Sequence, residues 1–177
     1  MSIHIDGKKI TAMYWGGQKI REAWYEGQRV FSGKPVEVMP PTPNWYDAQD
    51  WLRGRLTEYG ESYQTVKEIP FEIDTGESSN LDSMFRGCSS LTTVPDMDTS
   101  QATDMRSMFR GCSSLTTVPD MDTRNVTDMS DMFRGCSSLT DGNVRLIGKR
   151  TGVNTVRMIR DSGLTREPFY DSSGQPI

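Results

Sequence analysis

Three cysteines, Cys88, Cys112 and Cys136, stand 24 residues apart. Thiols offer nucleophilic, redox or metal-ligating chemistry. Copies stacked side by side would place neighbouring thiols about 5 Å apart, the spacing of adjacent strands. That is near disulfide range, but an odd number leaves one thiol over. A linear column cannot surround an ion tetrahedrally, and the single histidine, His4, is far away in sequence. The expected state is a column of buried reduced thiols acting as small apolar residues. Charged residues recur at the same period. Glu72/Asp74, Asp96/Asp98 and Asp120/Asp122 would form an acidic column, and Arg86, Arg110 and Arg134 a basic one. The acids read either as a calcium or sugar contact or as solvated turn residues neutralised by arginines and backbone N–H groups. Three like charges about 5 Å apart repel by roughly 1 kcal/mol or less in water, so the arginines are expected to splay outward or pair with the acids. Arg86, Arg110, Arg134, Asp98 and Asp122 are therefore the candidate contact surface. No G-x-S-x-G, HExxH, P-loop or dinucleotide fingerprint is present. No catalytic, cofactor-binding or metal residue is assigned, and the chain reads as non-enzymatic.

These columns require a scaffold that sets one unit beside the next. The string MFRGCSSL occurs at 84–91, 108–115 and 132–139, joined by TTVPDMDT at 92–99 and 116–123. A fixed period of 20–50 residues is the signature of a solenoid, an architecture that presents surfaces rather than enclosing reaction chambers. Residues 69–85 read as a degenerate first copy, with Leu81 in the place of Met105 and Met129. Leu91, Val94 and Met97 have the spacing of a short leucine-rich-repeat strand. Ala102, Met105, Met108 and Phe109 follow the 3–4 spacing of a helical arc. Gly87, Gly111 and Gly135 would turn the corner after it. A helix over about 45–59, capped by Asn44 and ended by Gly60, is expected to cover the first coil, with Trp45 and Trp51 in that cap. Short helices over 141–149 and 155–161, stopped by Gly152 and Gly163, would close the other end within 141–177.

Ahead of the repeats the glycines at 7, 17 and 27 fall one decapeptide apart. Glycine pairs flanked by apolar runs mark tight hairpins. Four strands, about 2–6, 9–15, 18–25 and 28–32, are expected to form an antiparallel meander. Both of its faces carry apolar residues, so one face is expected to pack on another part of an assembly, or else on the rest of this chain. Tyr14, Trp15, Trp24, Tyr25 and Phe31 are the candidate attachment residues. Four prolines between 35 and 43 mark 33–44 as an extended linker. The fold expected is thus α+β: a small antiparallel β-meander (1–32), a Pro-rich linker (33–44), and a short capped leucine-rich-repeat-like solenoid of about four coils (45–177).

The 177 residues leave room for one or two small domains. A net charge of −4 with no basic stripe argues against nucleic acid. No apolar run approaches the length of a membrane span, and MSIHIDGKKI has no apolar core of a signal peptide. Synthesis and retention in a cytoplasm, or release by lysis, is the expectation.

The motif MFRGCSSLTTVPDMDT followed by NVTDMS at 125–130 resembles the repeat of BspA-like surface proteins, a leucine-rich-repeat-related family, over about 69–140. That resemblance implies an adhesin or interaction protein with no catalytic residues. Residues 1–32 resemble small N-terminal modules of phage tail and other virion proteins, through Ile5-Asp6-Gly7, Ile10, Tyr14, Gly17, Ile20, Ala23-Trp24-Tyr25-Glu26-Gly27 and Val30-Phe31. Together they imply a virion protein, a minor tail or capsid-decoration component. Its N-terminal module would bind other virion proteins, and its repeats would contact a host-surface protein or glycan. No cofactor is implied, and self-association is left open. The alternatives are a bacterial cell-surface adhesin with BspA-like repeats and a cytoplasmic scaffold.

Overall fold

The structure, a computed structural model, describes residues 3–5, 8–10, 14–15, 18–19, 22–25, 28–32, 36–39, 48–148 and 151–177. Six short strands open the chain: β1 (Ile3–Ile5), β2 (Lys8–Ile10), β3 (Tyr14–Trp15), β4 (Gln18–Lys19), β5 (Glu22–Tyr25) and β6 (Gln28–Ser32). They pair antiparallel only as β1–β2, β3–β4 and β5–β6, with a register shift between Ala23 and Trp24. The expected meander is therefore corrected to three separate two-stranded ladders. Among the described residues no ladder links one decapeptide to the next.

Within the Pro-rich segment, β7 (Val36–Val38) pairs parallel with β8 (Glu72–Asp74). The Met39 N–H continues that ladder to the Asp74 carbonyl at 2.8 Å, and its side chain is buried. The single helix among the described residues, α1 (Ala48–Glu58), buries Ala48, Leu52 and Leu56, one face at helical spacing. It ends where Gly60 takes φ 76° and the Glu61 N–H closes on the Leu56 carbonyl at 2.9 Å, a left-handed C-terminal cap. Trp51 packs against the core half-buried. Asn44 and Trp45 lie outside the described residues.

The repeats are not a leucine-rich-repeat-like solenoid with helical arcs, which corrects the second half of the expected fold. No helix lies between 59 and 148 or between 151 and 177, and the expected C-terminal helices at 141–149 and 155–161 are turns and strand, with 149–150 outside the described residues. The physical reason is the destination of the amide protons. A helix needs each N–H to bond four residues back. Here the N–H groups of Met105, Ser107, Phe109 and Gly111 donate to Asp128, Ser130, Met132 and Arg134, in the following copy, at 2.8–3.0 Å. The backbone manages this by going left-handed at Ser83, Ser107 and Asp131, φ 54–59°, and again at Gly87, Gly111 and Gly135, φ 77–80°. The 3–4 spacing of Ala102, Met105, Met108 and Phe109 does bury all four side chains, but on a chain of turns.

Besides β8, the extended pairing between strands of this half is, among the described residues, a three-stranded parallel sheet. β9 (Met121–Asp122), β10 (Leu146–Ile147) and β11 (Phe169–Tyr170) run in the order β11-β10-β9. One apolar cluster extends from Met39 to Phe169. Its axis is the row Phe85, Phe109, Phe133, with ring centroids 5.4 and 5.6 Å apart and planes within 6°.

The sequence motif stops at Leu139, but the backbone pattern does not. The Met129, Asp131, Phe133 and Gly135 N–H groups donate to Asn154, Val156, Met158 and Arg160, 25 residues on from each donor where the inner copies use 23. Arg157 and Asp161, φ 57° and 59°, take the left-handed places held earlier by Asp131 and Gly135. Residues 154–164 are thus a further, degenerate copy. Gly163 is a close-contact position rather than a helix stop, since a Cβ there would stand 2.0 Å from the Leu139 carbonyl oxygen.

Candidate functional site

The arginine row lies on the outside of the turns that carry the phenylalanines. Arg86 is exposed, while Arg110 and Arg134 are half-buried. Arg134 is engaged, at 3.4 Å from Asp131 and 3.8 Å from Asp161. Arg86 and Arg110 form no ion pair among the described residues. The degenerate copy extends the row with Arg160, whose carbonyl accepts from Gly135 at 3.0 Å. MIRD at 158–161 against MFRG at 132–135 is the signal that would have found this copy.

Three of the column's acids, Asp74, Asp98 and Asp122, close turns. The Asp98 carboxylate accepts from the Ser100 N–H at 2.9 Å, and Asp122 from the Arg124 N–H at 3.0 Å, as Asp74 does from Gly76. A carboxylate closing its own backbone two residues on is an Asx-turn. Hydrogen bonds from the Arg124 side chain hold the Asp122 carboxyl below the ordinary carboxylate range. Asp120 pairs with Arg145 at 3.2 Å. A second row, Asn80, Asp104, Asp128 and Asn154, repeats the same turn and joins copy to copy by parallel bridges. Asp131, nearly buried, is held by Arg134 and by Arg157 at 2.8 Å. Among the described residues no three His, Cys, Asp or Glu side chains are grouped to hold a metal ion.

Hydroxyls join the copies as well. Buried Thr75 and Thr99 donate to the Asp98 and Asp122 carbonyls at 2.6 and 3.0 Å. On the surface Thr127 donates to Thr103, and Thr116 to Thr92. The thiols are free and buried, with the Cys112 and Cys136 Sγ–H groups aimed at the Phe85 and Phe109 carbonyls at 3.0 and 2.9 Å. Burial pushes the Cys88 thiol up to about 11 and Cys136 up to about 12, and raises Cys112 too. A thiol held protonated is a poor nucleophile and ligand.

The first copy is closed by side chains from the helix end of the molecule. The buried Tyr63 hydroxyl lies 2.9 Å from the Met84 carbonyl, and the Gln49 amide donates to the Arg86 carbonyl at 2.9 Å. Arg53 stands over the Tyr63 ring, 5.0 Å from its centroid. Tyr14 and Trp15 lie on β3, Trp24 and Tyr25 on β5 and Phe31 on β6, with His4 on β1. The surroundings of these side chains lie outside the described residues.

No curated protein and no solved structure matches this chain. One family model matches residues 61–160, more than half of the 177, and is described as Mycoplasma protein of unknown function, DUF285. The match spans every repeat copy from the first through Arg160, so the chain belongs to the DUF285 family.

Proposed function

We propose that this is a non-enzymatic display protein of a phage virion, attached through residues 1–32 and presenting its repeats to a host-surface protein or glycan. The observation that carries the display reading is the pair Arg86 and Arg110, repeated on a hydrogen-bonded frame and without ion-pair partners among the described residues. Asp74, Asp98 and Asp122 close turns and Asp120 pairs with Arg145, so the arginines are what the row offers to a partner. The resemblance of the glycine-spaced decapeptides to virion modules supports the attachment role. A second reading, a bacterial cell-surface interaction protein, is favoured by the family description, which names Mycoplasma, and by the BspA-like character of the repeats.

Peptide mass spectrometry on purified particles and on washed cell envelopes separates the two. Recovery in particles, alongside capsid or tail proteins, is the expected result. Recovery in envelopes of uninfected cells supports the second reading and refutes the first. The division of labour is tested with fragments 1–34 and 35–177, the cut placed before Val36 because β7 is bonded to β8. Particle binding should follow 1–34, and binding by 35–177 alone would overturn the attachment role.

A further inference from the structure

The backbone donors that join each copy to the next run out at the last copy. In the three inner joints the N–H groups at four alternate positions all donate in chain direction: Leu81, Ser83, Phe85 and Gly87 to the second copy, and their equivalents onward. In the last copy the corresponding groups are the N–H of Thr155, Arg157, Ile159 and Asp161. None of the four has an acceptor among the described residues. The opposite end is closed, since the Met84 and Arg86 carbonyls are met by Tyr63 and Gln49. Ordinary strands alternate their dipoles, but successive N–H groups in left-handed turns can converge on an anion or a carbonyl. The joints also hold bonds in the reverse sense, from Thr103, Thr127 and Asn154 back to the preceding copy, but within this four-position row every rung points one way, so its donor end is locally its positive end.

Residues 151–167 carry Arg157, Arg160 and Arg166 against Asp161 and Glu167. Arg157 is held by Asp131 and Arg160 lies 3.5 Å from Asp161, while Arg160 and Arg166 are both exposed. Val156 is 59% exposed beside them, a large apolar side chain left in water at the edge. Water can satisfy these amides, but an edge of aligned donors is also a template for another backbone.

We propose that residues 154–161 form a docking edge for an extended acidic segment of another protein. The segment adds one more row, its carbonyls accepting from the Thr155, Arg157, Ile159 and Asp161 N–H groups as each following copy does in the inner joints. Its carboxylates face Arg160 and Arg166, and an apolar side chain covers Val156. This is strand addition, in which main-chain bonds supply affinity and side chains supply selectivity. A second copy of this chain does not fit. Head to tail, its Met84 and Arg86 carbonyls are occupied; end to end about a two-fold axis, donors meet donors and arginines meet arginines. The edge is independent of whether the protein acts on a virion or on a cell.

The test uses the full chain, isotopically labelled, and a synthetic eight-residue peptide alternating glutamate and valine, with its lysine–valine counterpart as control. Amide spectra and hydrogen exchange are followed residue by residue. The acidic peptide should saturate and slow exchange at the Thr155, Arg157, Ile159 and Asp161 amides by about tenfold or more. The lysine peptide should not. Arg160→Glu combined with Arg166→Glu should weaken the acidic peptide by about tenfold while leaving the remaining spectrum in place. Absence of slowing at the four amides overturns the proposal, as does an equal effect of the lysine peptide. Protection of the same amides that rises with protein concentration in the absence of peptide also overturns it, and assigns the edge to a second copy.

Discussion

Phe109→Ala is the most direct perturbation of the frame that holds the surface rows. Phe109 is fully buried, with one ring 5.4 Å away on one side and another 5.6 Å away on the other. Truncating a buried Phe to Ala costs about 3–5 kcal/mol, more where the site cannot collapse. Here the walls are two stacked rings held by backbone bonds to the adjoining copies, so the upper part of that range, about 4–5 kcal/mol, is expected. Phe133 has a ring on only one side, so Phe133→Ala should cost less by one aromatic contact, about 0.5–1.5 kcal/mol. Urea unfolding followed by far-ultraviolet circular dichroism measures both. With a slope of about 2 kcal/mol per molar urea, Phe109→Ala should lower the midpoint by about 2 M. A shift below about 1 M at unchanged slope would refute the reasoning, because the ring would then be replaceable by water or by local collapse. A changed slope would mean that the copies do not unfold as one unit.

Gly111→Ala forces an alanine to φ 77°, and the left-handed penalty of about 1–2 kcal/mol should appear as lost stability in the same assay. Asp161→Gly relieves the equivalent position at φ 59° and should stabilise by up to about 1 kcal/mol; a destabilised variant would show that the weak exposed pairs of Asp161 with Arg134 and Arg160 outweigh the backbone. The buried thiols predict a loss of stability in alkali. Each is kept protonated by the fold, so its contribution is complete below the unfolded value near 9. It is lost as pH rises toward about 11 for Cys88 and about 12 for Cys136. Each thiol should add a slope of about 1.4 kcal/mol per pH unit in that window. Urea midpoints from pH 7 to 11 should therefore fall less steeply for Cys136→Ala than for the parent chain, and parallel curves would exclude the thiol as the cause.

The side chains that fill the interior were legible because their chemistry repeats. Phe85, Phe109 and Phe133, the three cysteines and the methionines are buried as their period requires. What misled was the path between them. Ala102, Met105, Met108 and Phe109 have the spacing of a helix face, and a helix is the cheapest local way to bury such a set. The left-handed residues Ser83, Ser107 and Asp131 carry no glycine to announce them. The further copy at 154–164 was hidden for a related reason. Ile159 replaces phenylalanine, Asp161 replaces glycine and two residues are inserted ahead of it, so the string is lost while the hydrogen bonds persist. Of the candidate contact rows, Asp98 and Asp122 could be recognised as turn acids from type and position. That Arg134 is engaged while Arg86 and Arg110 have no ion pair among the described residues depended on Asp131, which replaces serine within the same turn, and on Asp161 of the next copy.

By itself the sequence determined the 24-residue period, which side chains recur at each station, and which of them are apolar enough to leave water. The tertiary structure alone decided where each amide proton goes. An N–H chooses between a carbonyl four residues back and one in the next copy according to whether that copy is already in place beside it, and no local pattern records the outcome. That choice made turns of the expected helices, gave the rows a direction, and left the last four donors at an open edge.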